Sequence, residues 1–143
     1  MANKKIIGAT AKEYDGIKFK SQLEVAIYKV LLQEGFKPKY EEEKYIIWKG
    51  FIPKVPFYNK DKATRLLKIE SGKLRDITYT PDFTFKHKDT LVIIEAKGFE
   101  NDVFPIKKKL FRKYLEDNIP SSLYFEIYTQ KQLKQAIDII KKL

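Results

Sequence analysis

Carboxylates and lysines are the groups with the capacity for chemistry in this chain. Of its 143 residues none is Cys and one, His87, is His. Thiol nucleophiles, disulfides, zinc fingers and iron–sulfur clusters are thereby excluded, and Ser-His-Asp triads, His-Asn-His sites and multi-histidine metal sites go with them. What remains is concentrated between Ile77 and Gly98. There Ile-Thr-Tyr-Thr-Pro-Asp-Phe-Thr-Phe is followed by a polar break, Lys86-His87-Lys88-Asp89, and then by Thr-Leu-Val-Ile-Ile-Glu-Ala-Lys-Gly. The first run is rich in β-branched and aromatic residues, and Leu91 to Ile94 is continuously apolar, as in a buried strand. The pattern predicts two consecutive strands joined as a hairpin. Antiparallel pairing places Asp82 and Glu95 near one end of a sheet, and period-two alternation turns Lys97 to the face of Glu95. Two acids held close repel and raise each other's pKa, an arrangement tolerated mostly where a cation lies between them. Hard oxygen ligands of this kind suit Mg²⁺ or Mn²⁺, and a lysine beside the ion orients or deprotonates water or holds a phosphate.

At Pro81-Asp82 and Glu95-Ala96-Lys97 the chain resembles the PD-(D/E)XK nuclease superfamily, nearest in look to small phage-type endonucleases and Holliday-junction resolvases. A second stretch, Gly16-Ile17-Lys18-Phe19-Lys20-Ser21-Gln22-Leu23-Glu24, is similar to the segment of phage-type members in which a helix-borne glutamate completes the acidic cluster. Ser21-Gln22-Leu23-Glu24 is also a capping box, in which Glu24 is simply the N3 partner of the cap. The resemblance makes Glu24 a third acidic site residue, acting on the metal directly or through water. It implies that Asp82, Glu95 and the carbonyl of Ala96 hold Mg²⁺, with Mn²⁺ able to substitute, and that Glu24 supports this ion or a second one. Lys97 would position water. A basic helix near the scissile phosphate is implied as well, with Lys107, Lys109 and Arg112 as its DNA-binding candidates.

The elements that must position these residues can be traced in order. Asp15-Gly16 is a turn signal. A helix is predicted from Ser21, with Leu23, Ile27, Val30 and Leu31 on one face and Gly35 as its stop. Glu41-Glu42-Glu43 leads into a strand over Tyr45 to Trp48. Residues 49–72, with Pro53, Pro56 and interspersed basic and aromatic side chains, read as an insertion or extension that either grips a DNA backbone or widens the sheet. Pro105 suits the first turn of a second helix carrying Ile106, Leu110, Phe111, Tyr114 and Leu115 as its apolar stripe. A strand over Leu123 to Tyr128 and a terminal helix over Gln130 to Leu143, N-capped by Thr129, complete the chain. The order helix, three strands, helix, strand, helix matches the core that the superfamily shares. The expected fold class is therefore α/β, a restriction-endonuclease-like αβββαβ core with a mixed central sheet flanked by helices.

Composition sets the bounds. The 143 residues, 43% hydrophobic, suit one domain spanning 1–143. The net charge of 29 − 19 = +10 favours a polyanionic partner. No signal-type apolar run follows Met-Ala-Asn-Lys-Lys and no stretch approaches a membrane span, so an intracellular, non-membrane protein is expected. With the resemblance, the expectation is a divalent-metal-dependent DNA endonuclease, structure-specific, phage-derived and located in the cytoplasm of a bacterium or phage-infected host. Its partner would be duplex or branched DNA, and a homodimer would suit cutting of two strands. The alternatives are a non-catalytic DNA-binding subunit that retains the fold and a small basic scaffold for RNA.

Overall fold

The computed structural model describes residues 12–97 and 103–143. The basic N-terminus and the loop Phe99-Glu100-Asn101-Asp102 lie outside them. A small hairpin, β1 (Glu13–Tyr14) and β2 (Ile17–Lys18), turns at Asp15 and Gly16, both with positive φ. Helix α1 (Gln22–Gln33) then starts at Ser21, whose hydroxyl accepts from the Glu24 N–H at 3.1 Å. It stops at Gly35, where φ is 88° and a side chain would be strained. Strands β3 (Lys39–Tyr40) and β4 (Tyr45–Trp48) follow, then β5 (Phe57–Lys60), β6 (Leu67–Glu70), β7 (Ile77–Tyr79), β8 (Phe83–His87) and β9 (Thr90–Ala96). Helix α2 (Phe104–Asn118), strand β10 (Ser122–Ile127) and helix α3 (Gln130–Lys141) end the described chain. Pro105 sits in the first turn of α2, and Thr129 and Gln132 form a reciprocal capping box on α3.

The architecture is mixed α/β. A central four-stranded sheet has the order β10-β9-β8-β3. β9 is antiparallel to β8 and parallel to β10, as required when a tight turn joins the first pair and a helix crosses between the second. Alternation assigns the two faces. Phe83, Phe85, Val92, Ile94 and Ile127 pack with α1 and α3, while Ile93 and Tyr124 pack with α2 and Tyr79. Among the described residues, no helix is long and apolar enough to cross a membrane.

Two strand expectations are revised. The run from Ile77 to Phe85 is not one strand: it breaks at Thr80-Pro81-Asp82, where Pro81 has no N–H to donate to a ladder. β7 pairs with β4, away from the central sheet, while β8 pairs with β9 and β3. Strand β4 therefore does not join the central sheet, whose far edge is the two-residue β3. The extension foreseen for residues 49–72 is a ribbon that leaves the body after Trp48 and returns at Ile77, with β5 and β6, among the described residues, paired only to each other.

Gly50 sits at the root of that ribbon. Its N–H donates to Asp76 at 2.8 Å, the Leu74 N–H donates to the Phe51 carbonyl at 2.8 Å, and a Cβ at Gly50 would overlap the Leu74 carbonyl and lie 2.7 Å from the Arg75 carbonyl carbon. Gly50→Ala is expected to force the root open at a cost of about 1–3 kcal/mol. Hydrogen exchange should show the Leu74 amide losing protection while the β9 amides keep theirs.

Candidate functional site

The β8–β9 register pairs Phe83 with Ile94, so Asp82 comes opposite Glu95 on the face covered by α2. Asp82 is 7% exposed and Glu95 8%. The backbone N–H of Ala96 donates to Asp82 Oδ2 at 2.8 Å, tying the residue before β8 to the end of β9. Glu95 is held from both sides. Its Oε1 accepts from the Tyr79 hydroxyl at 2.5 Å, and its Oε2 lies 3.2 Å from Lys97 Nζ. Tyr79 in turn lies 2.9 Å from the Tyr124 hydroxyl. The Lys97 ammonium also sits 3.5 Å from the ring centroid of Phe104, in the first turn of α2, where the ring face attracts a cation.

Asp82, Glu95, Tyr79, Lys97 and Phe104 face an open cavity of about 680 Å³, whose lining also includes Ala96, Glu24, Lys20 and Lys107. The sequence-based candidates Glu24, Asp82, Glu95, Ala96, Lys97 and Lys107 are therefore brought together. Arg112 is not with them: it lines a neighbouring groove of about 420 Å³ with Lys108 and Glu126. Lys109 is exposed and lines neither space, because two residues along a helix is a rotation of about 200° from Lys107.

Glu24, 6% exposed, does not close the capping box on Ser21. Its Oε1 accepts instead from the Lys20 N–H and the Tyr40 hydroxyl, each at 2.8 Å. Lys20 pairs with Glu41 at 2.9 Å on the same rim. Glu24 thus lines the cavity with one oxygen, Oε1, tied to Lys20 and Tyr40. Among the described residues, no three His, Asp or Glu side chains lie close enough together to hold a metal ion. The oxygens a cation could use here are the carboxylates of Asp82 and Glu95, with Ala96 beside them on the cavity lining. Two carboxylates with room for water and substrate oxygens fit Mg²⁺, which keeps several waters and is seldom caged by protein alone.

Burial and mutual repulsion dominate the electrostatics. The Asp82 carboxyl is raised to about 8 by burial first and then by the charges of Glu95 and Glu24, against the lowering effect of the Ala96 N–H. Glu95 is raised by burial, partly offset by the Tyr79 hydrogen bond and by Lys97. Tyr79 is raised by burial and by the Glu95 charge, so it remains a neutral donor. Tyr79, Tyr124, Tyr40 and Phe104 carry no sequence signal as site residues. The one available hint is that a tyrosine in a buried strand needs a partner for its hydroxyl.

The chain belongs to the family described as protein of unknown function (DUF1064), which matches residues 4–134. None of the curated proteins and none of the solved structures matches it.

Because Asp82 and Glu95 titrate higher in the folded protein than when unfolded, the fold binds more protons and its stability falls as pH rises from the ordinary carboxylate range through about 8. Thermal melts in EDTA between about pH 5 and about 9 should show this loss for the wild type. Asp82→Asn keeps an acceptor for the Ala96 N–H and removes one buried charge. Its melting temperature should exceed that of the wild type increasingly toward high pH, by about 4 °C for each kcal/mol recovered.

Proposed function

We propose that the chain is a divalent-metal-dependent endonuclease that hydrolyses DNA phosphodiesters, of the PD-(D/E)XK type that Pro81-Asp82 and Glu95-Ala96-Lys97 resemble. One observation carries this reading: two buried carboxylates, Asp82 immediately before β8 and Glu95 opposite it near the end of β9, face one open cavity with the ammonium of Lys97 in contact with Glu95. With every group ionised, two acids and one lysine sum to −1 and Glu24 on the same wall makes it −2, a charge that burial and crowding resist by holding a proton on Asp82 up to about pH 8. A phosphodiester brings a further negative charge, so the ionised cluster by itself repels such a substrate, and a cation held by Asp82, Glu95 and the Ala96 carbonyl would both favour ionisation and reverse that repulsion. When bound, Mg²⁺ polarises a phosphoryl oxygen and lowers the pKa of a coordinated water. The chain order of α1, β3, β8, β9, α2 and β10, whose four strands form the central sheet, supports the restriction-endonuclease-like αβββαβ core as the finer fold assignment.

The chain's own residues have separable tasks on this reading. Tyr79 fixes Glu95 by donating to Oε1, which leaves Oε2 for Lys97. Lys97, steadied on the Phe104 ring, holds a hydrogen-bond donor over the cavity, where it orients water or a phosphate oxygen. Glu24, whose Oε1 accepts from the Lys20 N–H and the Tyr40 hydroxyl, supports the ion or a second one, directly or through water. Lys20 and Lys107 lie on the cavity wall, where a backbone phosphate would pass. A phage-type, resolvase-like role on duplex or branched DNA, a cytoplasmic setting and a dimer follow from the same resemblance.

The test is cleavage of labelled four-way junction, flap, linear and supercoiled duplex and single strand with Mg²⁺, Mn²⁺ or EDTA. Metal-dependent cutting is expected, reduced by about 10³-fold or more in Asp82→Asn, Glu95→Gln and Lys97→Ala while DNA binding persists. A variant that cuts like the wild type removes that residue from the site. Binding without cutting under any metal means a DNA-binding subunit that retains the fold. As an independent readout, millimolar Mg²⁺ should raise the melting temperature of the wild type and leave that of Asp82→Asn unchanged.

A further inference from the structure

Residues 49–76 form a ribbon that, beyond its root at Gly50, the other described residues leave exposed. Trp48 pairs with Ile77 at its base, β5 and β6 are in continuous antiparallel register, and every residue of both strands is exposed. An isolated two-stranded hairpin is marginal in water, so a ribbon displayed in this way calls for a partner. Its charge states which kind. The segment holds eight Lys and Arg against Asp61, Glu70 and Asp76, so 8 − 3 = +5 of the chain's +10 lies on it. Lys49 and Lys68 pair with Asp76 and Asp61. The other six make no ion pair among the described residues.

The tip is ordered by its own hydrogen bonds. The Asp61 N–H donates to the Leu66 carbonyl and the Arg65 N–H to the Asp61 carbonyl, at 2.8 and 2.9 Å. The Asp61 side chain accepts from the Ala63 and Thr64 N–H groups at 3.0 and 2.9 Å. Arg65 has φ of 64°, a left-handed conformation that penalises L residues and costs glycine nothing. The chain carries arginine where the backbone favours glycine.

We infer that the 49–76 ribbon is a duplex-DNA-binding arm whose tip enters the major groove, with Lys60, Lys62 and Arg65 on the flanking phosphates. Two strands about 4.8 Å apart fit a groove about 12 Å wide. Tyr58, Leu67 and Ile69 share one face of the ribbon with Lys60, as the pairing of Tyr58 with Ile69 and of Lys60 with Leu67 requires. Apolar side chains on such a face suit thymine methyls and sugar edges. The inference rests on the endonuclease reading in naming DNA as the partner. Its mechanical link to the site is that β7, at the ribbon's base, runs directly into Thr80-Pro81-Asp82.

The test is fluorescence anisotropy with a short labelled duplex in EDTA, so that no hydrolysis occurs, titrated with NaCl for the wild type and the K60Q/K62Q/R65Q variant. These side chains are exposed, so the melting temperature should not change. The variant should bind at least about tenfold more weakly at fixed moderate salt, and the slope of log K against log salt should fall by about 2–3, one unit for each lost phosphate contact. Unchanged affinity and slope would overturn the arm. So would sedimentation showing a wild-type dimer that Leu67→Ser with Ile69→Ser dissociates without altering duplex binding, since a second copy would then be the occupant. The endonuclease reading fails separately. A wild type that binds duplex in EDTA with the arm-dependent slope yet cuts nothing with any divalent metal leaves the arm standing, and a triple variant that binds and cuts like the wild type removes the arm and leaves the nuclease.

Discussion

The register of β8 against β9 is the constraint on which the candidate site depends. Phe83 opposes Ile94, and this one pairing sets Asp82 against Glu95 and lets the Ala96 N–H reach Asp82. A slip by one residue would turn every side chain of a strand to the opposite face. Such a slip is prevented by apolar side chains that fill both sides of the sheet. Phe83, Val92, Ile93 and Ile94 are all fully buried, with Ile93 facing one core cluster and the other three facing the second. The hydrophobic core therefore specifies the site by forbidding its alternatives.

The same burial works against the carboxylates it positions. Removing Asp82 and Glu95 from water disfavours their charged forms, and their proximity adds to the effect. The surrounding elements supply partial compensation from several directions: Tyr79 from β7, Lys97 from the end of β9, the Ala96 N–H from the ladder, and Phe104 of α2 beneath the lysine. Tyr124 of β10 extends the chain of hydroxyls. Structural stability alone gives no reason to keep two such acids together, since apolar residues in their place would remove the penalty. That physical tension is what makes the cluster a candidate for chemistry.

Charge is distributed unevenly between this site and the rest of the molecule. The cluster of Glu24, Asp82, Glu95 and Lys97 is formally −2 when fully ionised, yet the chain is strongly basic, and half of its net positive charge lies on the 49–76 ribbon. On the proposed reading the two parts divide the work. The ribbon and the lysines near the cavity attract a polyanion, and the acidic cluster acts on one phosphate of it once a cation is present. Pro81 sits between the two, where the chain turns from the β7 ladder to the β8 ladder.

Much of this was legible in the residues themselves, where the information is local. Asp-Gly and Gly35 marked turns because glycine tolerates positive φ, Ser21 and Thr129 marked helix starts because their hydroxyls satisfy free N–H groups, and the polar break at Lys86-His87-Lys88-Asp89 between two β-rich runs marked the hairpin. Period-two alternation then sufficed to turn Lys97 to the face of Glu95, and antiparallel pairing to bring Asp82 to the same end of the sheet. Long-range pairing lay beyond such signals. Nothing local shows that β7 leaves the sheet for β4, that Tyr79 reaches Glu95, or that Tyr40 and the Lys20 N–H take Glu24. Helical periodicity likewise identified α2 as basic without showing that Lys107 meets the cavity and Lys109 does not, because the rotation of a helix is set by what its apolar stripe packs against. Sequence determined which groups are available and their spacing within each element. Tertiary structure decided which of them meet, because those contacts join residues far apart in the chain, and the energy selecting them comes from burial shared among many side chains.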